Sequence, residues 1–185
     1  MIPQMQPLFE KEEKEALWNY MDSGGWVTEF QKTTEFENMI KAFTNTKHCI
    51  VVNNGTISLT LAALACGIQP GDEIIIPNYT MIATPNAIQL LGATPIFVDV
   101  EESTLCLDFS KIEKNITKKT KMIILVSPNG RYPKTPISDY QKLAKKHNLH
   151  LIEDAAQALG SFFPDGTHIG SQGDIGSFSF SMPKI

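Results

Sequence analysis

Short apolar runs alternate along the chain with stretches of helical periodicity, and this alternation constrains the fold more than any other feature. Residues 74–76 are three consecutive isoleucines, and residues 122–126 read MIILV. Continuous runs of this kind suit strands that are covered by helices on both faces. Strands that alternate with helices favour a parallel sheet. The sequence therefore predicts an α/β domain built on a mostly parallel, doubly wound sheet.

The predicted elements can be placed by their periodicity and by the turn residues that separate them. Strands are expected at residues 49–52, 73–77, 94–98, 122–126 and 149–152. Helices are expected at residues 35–43, 57–66, 83–91, 108–115 and 137–147, after an earlier helix that ends near residue 23. In helix 35–43 the side chains of Phe36, Met39, Ile40 and Phe43 share one face, which indicates core packing.

Composition narrows the function classes. A length of 185 residues with 42% hydrophobic residues suits one domain with a sizeable core. The net charge of -4 provides no basic surface for nucleic acid or membrane. Three scattered cysteines without C-x-x-C spacing indicate reduced thiols, and the start of the chain has no targeting pattern, so a cytoplasmic location is expected. The four histidines lack metal-ligand spacing, and no metal site is predicted.

The turn at residues 53–56 is a candidate anion site. It reads NNGT and leads from a predicted strand into a predicted helix. The first backbone N–H groups of a helix have no partner within the helix, and the helix dipole adds partial positive charge there. Gly55 and Thr56 could therefore receive a phosphate, although an ordinary N-cap explains the same residues.

The last third of the chain contains a carboxylate and a lysine that could bind the same ligand. Asp154 follows the predicted strand 149–152, at the end where open α/β sheets bind their ligands. Lys184 comes later, after an alternation of serine and aromatic residues, and could face the same crevice. A carboxylate suits a basic ring nitrogen and an amine suits an aldehyde. Pyridoxal phosphate carries both groups.

An ordered set of short motifs resembles a known family. These motifs are NGT at 54–56, PGDE at 70–73, Pro77 with Thr80 and Ala83, GATP at 92–95, EDAAQ at 153–157 and GDIGSFSF at 173–180. Together they resemble the DegT/DnrJ/EryC1/StrS family of sugar-nucleotide aminotransferases, and within it the perosamine synthase type. The resemblance implies the large domain of the aspartate-aminotransferase fold, which is fold type I of pyridoxal phosphate enzymes.

The resemblance also implies roles for individual residues. Lys184 matches the lysine that binds the cofactor covalently and later moves a proton, and Asp154 matches the carboxylate that faces the pyridine nitrogen. Gln157 matches the side chain that hydrogen-bonds the ring oxygen. Ser179 matches a hydroxyl on the phosphate.

The remaining cofactor contacts implied by the resemblance include one departure. Gly55 and Thr56 match the backbone that cradles the phosphate. Met81 stands where an aromatic ring usually stacks on the cofactor, and its polarisable sulfur is expected to pack more weakly there. The segment at 127–133 also departs from the usual pattern of histidine, aromatic residue and glycine.

The chain ends one residue after Lys184. The resemblance therefore implies that residues 1–185 comprise an N-terminal arm and the major part of the large domain, truncated after the cofactor lysine and lacking the small C-terminal domain. A portion of a longer polypeptide is expected. Members of the family are usually homodimers, so a homodimer is expected here as well.

The function implied by this resemblance is transamination of a nucleotide-linked 4-keto-6-deoxy sugar, with glutamate as the expected amino donor, to make an amino sugar for glycan or lipopolysaccharide synthesis. Two alternatives stay open. A dehydratase of the same fold would carry histidine in place of Lys184. A non-catalytic ligand-binding or regulatory relative would bind cofactor or sugar nucleotide without turnover.

Overall fold

The computed structural model describes residues 8–24, 31–181 and Lys184. They contain six α-helices: α1 (Lys11–Asp22), α2 (Gln31–Thr44), α3 (Gly55–Ala65), α4 (Ala83–Gln89), α5 (Phe109–Ile112) and α6 (Ile137–His147). They contain five strands: β1 (Glu73–Pro77), β2 (Thr94–Val98), β3 (Thr120–Val126), β4 (His150–Asp154) and β5 (Ile175–Ser177). The chain forms two compact units, one of residues 1–51 and 181–185 and the other Val52–Phe180. The start of the predicted N-terminal arm, at residues 1–7, lies outside the described residues.

The first unit contains α1 and α2. Helix α1 begins with a capping box in which the backbone N–H of Glu10 donates to the Glu13 carboxylate at 2.8 Å. In α2 the prediction of core packing is correct for Ile40, which is 9% exposed, and wrong for Met39 and Phe43, which are 67% and 53% exposed. A helix face that is apolar in sequence is thus largely uncovered within this unit.

The strand predicted at residues 49–52 is wrong. The structure gives these residues no strand. The backbone N–H of Val51 donates to the Glu37 side chain at 2.8 Å, and Ile50 is 80% exposed. A side-chain acceptor on α2 thus takes the hydrogen bond that a neighbouring strand would have taken. The apolar run resembles a buried strand in composition and is not buried within its unit.

The second unit is built on a five-stranded sheet in the order β2-β1-β3-β4-β5. Every pairing is parallel, as the alternation of strands and helices predicted. The strand bounds predicted at residues 73–77 and 94–98 agree with β1 and β2. The helix predicted at residues 137–147 agrees with α6.

Helices cover both faces of this sheet. On one face, α6 contributes Ile137, Tyr140, Leu143 and Ala144 to a core that includes Ile123 of β3. On the other face, α3 and α4 pack against strand side chains that point away from α6, such as Ile74 and Ile124, and form a second core. Because successive strand side chains point to opposite faces, the runs in β1 and β3 supply both cores at once. The predicted doubly wound α/β architecture is confirmed.

Within residues 8–24, 31–181 and 184, no helix has the length and apolar character needed to cross a membrane. The same residues contain no cluster of histidine, cysteine or carboxylate side chains that could hold a metal ion.

Candidate cofactor site

The carboxyl ends of the parallel strands meet at one edge of the sheet, and Asp154 lies there. It is the last residue of β4, in register with Val126 of β3 and Ser177 of β5. The residue is only 6% exposed. A carboxylate buried at this edge is placed where open α/β sheets bind their ligands. The structure thus places Asp154 where the sequence predicted it, and its role stays a prediction.

A threonine from α4 holds the Asp154 carboxylate. The Thr84 hydroxyl donates to Oδ2 of Asp154 at 2.7 Å, and the backbone N–H of Ala156 donates to Oδ1 at 3.3 Å. The Thr80 hydroxyl lies 2.8 Å from that of Thr84. The contact between Thr84 and Asp154 was not predicted from the sequence. The sequence does contain one signal for it: two threonines lie four residues apart at a helix start, and this spacing brings side chains together.

The N-terminus of α3 forms a cradle with the segment after β5. The side chain of Asn54 caps the helix by accepting from the N–H of Ile57 at 2.9 Å. A Cβ atom added to Gly55 would lie 3.1 Å from Cβ and 3.3 Å from Oγ of Ser179, so glycine permits this close approach. Ser177 and Ser58 join the same two segments through their hydroxyls, 2.9 Å apart. The structure therefore brings together Gly55 and Ser179, two residues that were predicted to hold a phosphate.

The backbone around Gly55 and Thr56 suits an anion. Among the described residues, no acceptor is paired with the backbone N–H of either residue, as expected for the first turn of a helix. The helix dipole favours negative charge at the same place. The buried hydroxyl-bearing residue Ser179 stands beside it, at 9% exposure. These three features fit the phosphate of the predicted cofactor.

The side chain of Gln157 is oriented by the turn that follows β3. Its Oε1 accepts the backbone N–H of Asn129 at 3.0 Å, and Asn129 lies in a short 3-10 turn, Pro128–Gly130. Because the amide oxygen accepts this bond, the amide nitrogen of Gln157 is the end that can donate elsewhere. A donor is what the predicted hydrogen bond to the cofactor's ring oxygen requires.

The segment at 127–136, here called the rim, is held by further hydrogen bonds. The backbone N–H of Lys134 donates to Glu101 at 3.0 Å, and that of Arg131 donates to the carbonyl oxygen of Pro128 at 3.1 Å. Glu101 also accepts from the Thr104 hydroxyl at 2.6 Å. This rim is therefore tied to the loop that follows β2.

Met81 and Lys184 complete the predicted set. Met81 lies between Thr80 and α4 and is 64% exposed, which leaves its side chain accessible to a ligand. Lys184 is half-buried and belongs to the first unit, where its backbone N–H donates to the Ser181 carbonyl oxygen at 2.9 Å. The prediction that Lys184 and Asp154 face one cofactor stays a prediction.

A second buried carboxylate, Glu153, precedes Asp154 on β4 and is 1% exposed. It accepts the backbone N–H groups of Gly170 at 2.9 Å and of Gln172 and Gly173 at 2.6 Å each. Burial raises the pKa of Glu153, and these three donors oppose the rise. The carboxylate therefore acts as a structural clamp on the loop that leads into β5.

The buried histidine His168 belongs to the same loop region. Its Nε2 accepts the backbone N–H of Gly160 at 2.9 Å, which requires a neutral ring with its proton on Nδ1. The rings of Phe162 and Phe178 lie against it, with centroids 5.1 and 5.7 Å away. Burial lowers the pKa of His168. The residue is therefore a structural element of this loop region.

One buried hydroxyl near Asp154 is unusual. Ser127 is 1% exposed, and its backbone N–H donates to the carbonyl oxygen of Asp154 at 3.1 Å. Among the residues that the structure describes, its Oγ has no hydrogen-bond partner. A buried polar atom without a partner costs free energy.

Comparison with known proteins identifies a family. The profile of the DegT/DnrJ/EryC1/StrS aminotransferase family matches residues 7–185. A GDP-perosamine synthase of Escherichia coli O157:H7 is 42% identical over 179 residues, which are 97% of this chain and 48% of the relative. A dTDP-3-amino-3,6-dideoxy-alpha-D-galactopyranose transaminase of Aneurinibacillus thermoaerophilus is 38% identical over 185 residues, 97% of this chain and 50% of the relative. The chain spans about half the length of these relatives.

Solved structures give the same result. A sugar aminotransferase of Streptococcus pneumoniae matches in its PLP form with a TM-score of 0.87 and 33% identity, over 99% of this chain and 50% of that one. Its PMP form matches with a TM-score of 0.90 and 32% identity, over 100% and 49%. These findings confirm the predicted fold and the predicted aminotransferase family. The solved forms of the neighbour carry the names of pyridoxal phosphate and its amine form, which agrees with the predicted cofactor.

Proposed function

Because the chain belongs to the DegT/DnrJ/EryC1/StrS aminotransferase family, we propose that it forms the cofactor-holding part of an enzyme that transfers an amino group to a nucleotide-linked keto sugar. The observation that carries the proposal lies within Val52–Phe180. A buried carboxylate ends one strand there, and the segment after the neighbouring strand packs against a helix N-terminus. These are the two kinds of group that a protonated ring nitrogen and a phosphate require.

The phosphate end is supported by the α3 cradle. The N–H groups of Gly55 and Thr56 would bind phosphate oxygens, and Ser179 would add a hydroxyl. The missing Cβ at Gly55 matters here, since its space is bounded by Ser179 at 3.1 Å and by the carbonyl oxygen of Phe178 at 3.5 Å. A larger side chain would fill the cradle.

The ring end is supported by Asp154. A negative charge beside a basic ring nitrogen favours its protonated form. When bound, pyridoxal phosphate supplies a sink for the electrons that are released at the substrate carbon. Asp154 would hold the proton on that nitrogen, and Gln157 would donate from its amide nitrogen to the ring oxygen.

Lys184 would bind the cofactor's aldehyde carbon and, as a free amine, move the proton between donor and acceptor positions. Met81 would pack against one face of the ring. The chain has lysine where dehydratases of this fold carry histidine, and this favours amination over loss of a sugar hydroxyl.

The acceptor and the donor are the finer part of the proposal. Named relatives make GDP-perosamine and a dTDP-linked 3-amino sugar. These names support a nucleotide-linked keto sugar as the acceptor. We propose a 4-keto-6-deoxy sugar as that acceptor and glutamate as the donor on the family resemblance alone. We expect a soluble homodimer in the cytoplasm that acts on no nucleic acid.

The decisive experiment uses the full-length polypeptide. It is loaded with pyridoxal phosphate, reduced with borohydride and digested, and the peptides are weighed. We expect the added cofactor mass on the peptide that contains Lys184 and its loss in Lys184→Ala, together with loss of amine formation from glutamate and a panel of keto-sugar nucleotides. Lys118→Ala, at an exposed turn lysine, is the matched control.

Three outcomes would count against this proposal. Cofactor mass on another lysine would remove Lys184 from its role. A deoxy sugar in place of an amino sugar would support the dehydratase. Binding of cofactor or sugar nucleotide with no turnover would support the non-catalytic alternative.

A further inference from the structure

Two threonine hydroxyls are aligned behind the Asp154 carboxylate. Thr80 follows β1, and Thr84 is the second residue of α4. The distances are 2.8 Å between the two hydroxyl oxygens and 2.7 Å from Thr84 Oγ1 to Asp154 Oδ2. Thr84 has no exposed surface, so water does not compete for this hydroxyl. The contact joins residues 70 positions apart in sequence and is a tertiary feature of the site.

The direction of the two hydrogen bonds follows from the chemistry of the groups. When Asp154 is ionised its carboxylate can only accept, so the Thr84 proton then goes to Asp154. A hydroxyl has one proton, so the bond between the two threonines must then be donated by Thr80. The result is a polarised chain from Thr80 through Thr84 to the carboxylate. Consecutive hydrogen bonds of this kind strengthen one another in a low-dielectric interior.

We propose that Thr84, supported by Thr80, is a positioning residue that keeps the Asp154 carboxylate ionised and oriented toward the ring nitrogen of the cofactor. The inference rests on the proposed function for its cofactor. A hydroxyl that donates to a carboxylate stabilises the charged form and restricts rotation about the Cβ–Cγ bond. Both effects act on the group that holds the ring proton.

The surrounding contacts favour this role over simple helix capping. The backbone N–H of Thr84 donates to the carbonyl oxygen of Met81 at 3.0 Å, so the helix start is formed without its side chain. Another threonine shows the structural alternative. The Thr60 hydroxyl of α3 contacts the carbonyl oxygens of Thr56 at 3.1 Å and Ala87 at 3.0 Å, and so joins two helices. Thr84 instead directs its proton to a carboxylate at the site.

The test compares three variants of the full-length protein. Thr84→Val removes the hydroxyl with little change in shape, and Thr84→Ser keeps a hydroxyl. Thr60→Val is the matched control, since it removes a hydroxyl that binds two backbone carbonyl oxygens, of Thr56 and Ala87, and no carboxylate. The first readout is the ¹⁵N NMR signal of bound pyridoxal phosphate labelled at its ring nitrogen. The second is the dissociation constant of the cofactor.

We expect Thr84→Val to move the ring-nitrogen signal toward the unprotonated position and to weaken cofactor binding roughly tenfold, the effect of one hydrogen bond to a charged group. Thr84→Ser should restore both, and Thr60→Val should change neither. A ring-nitrogen signal in Thr84→Val that equals the signal in Thr60→Val would overturn the proposal, whatever happens to stability.

A measurement without cofactor separates this proposal from the proposed function. In the cofactor-free protein at neutral pH, the ¹³C signal of the Asp154 carboxyl should shift in Thr84→Val, shift less in Thr80→Val and return in Thr84→Ser. If the wild-type protein bound no pyridoxal phosphate, the proposed function would fail, and this signal would still decide whether the chain of hydroxyls acts on Asp154. An unchanged carboxyl signal in Thr84→Val would reject it.

Discussion

Glu153 and Asp154 are adjacent, buried and acidic, yet the structure uses them in opposite ways. Because they are neighbours on a strand, their side chains point to opposite faces of the sheet. Glu153 receives three backbone N–H groups from one loop, Gly170, Gln172 and Gly173. Asp154 receives the hydroxyl of a helix residue, Thr84, and a longer contact from a backbone N–H. The Glu153 carboxylate therefore holds a loop in place, whereas the Asp154 carboxylate is itself held in place by Thr84.

This comparison shows that burial alone does not distinguish a structural carboxylate from a functional one. Glu153 is 1% exposed and Asp154 is 6% exposed. The partners make the difference. Backbone donors can be supplied only by a loop of matching shape, so losing Glu153 would release the loop. The main partner of Asp154 is a side-chain hydroxyl, that of Thr84. Because no loop backbone depends on this contact, we expect a substitution of Asp154 to leave the surrounding backbone in place.

The largest expected effect is that of Glu153→Gln. Its amide nitrogen would face backbone N–H groups that also donate, which leaves buried polar groups unpaired, so we expect a loss of about 3 kcal/mol in unfolding free energy. Urea unfolding of the full-length protein measures it. Asp154→Asn is the partner variant and should lose about 1 kcal/mol of stability while abolishing amine formation. Equal stability losses in the two variants would contradict the division of roles.

Most of this contrast could not be predicted from sequence, although the framework could. The strands at 73–77 and 94–98 were placed correctly because short, largely apolar runs between turn residues usually form buried strands. The run at 49–52 has the same composition and forms no strand, since Glu37 takes the N–H of Val51. The hydrogen-bond partner that decides whether such a run forms a strand lies elsewhere in the sequence, so the run itself does not reveal it.

The site divides in the same way. The position of Asp154 at a strand end and of Gly55 at a helix start followed from local patterns and from resemblance. The contact of Thr84 with Asp154, and the three donors to Glu153, link segments 17 to 70 residues apart. Such contacts depend on how the segments pack. The spacing of Thr80 and Thr84 indicates only that these two hydroxyls lie close together, and residues 170–173 give no local indication that they bind Glu153.

A pH titration provides the next test, because His168 lies just before the loop that Glu153 holds. Burial lowers the pKa of His168 from its ordinary value of 6.5, so the folded protein binds fewer protons there than the unfolded chain. Stability from this residue is therefore complete above pH 6.5 and falls as the pH drops below it, by at most about 1.4 kcal/mol per pH unit. The unfolding free energy measured from pH 7 to pH 5.5 should show this loss.

His168→Gln supplies the comparison for that titration. Glutamine can accept the Gly160 N–H and never gains a charge, so the variant should lose the acid-dependent slope. The raised pKa of Glu153 acts in the opposite direction, since proton uptake at this carboxyl favours the folded state as the pH falls. This contribution of Glu153 is the same in the wild type and in His168→Gln, so it cancels when their unfolding free energies are subtracted. Equal slopes in the two proteins would contradict the assignment to His168.

The smallest expected effect concerns two buried serines next to β4. Ser127 and Ser177 are equally buried at 1% exposure, and they follow or end strands on either side of β4. Ser177 donates to Ser58 at 2.9 Å, whereas the Ser127 Oγ has no partner within the described part of the chain. Ser177→Ala should therefore cost about 1 kcal/mol, and Ser127→Ala should be neutral or slightly stabilising. Unfolding of the cofactor-free protein measures both. A loss in Ser127→Ala as large as that in Ser177→Ala would contradict this prediction and would mean that the Ser127 hydroxyl has a hydrogen-bond partner in the folded protein.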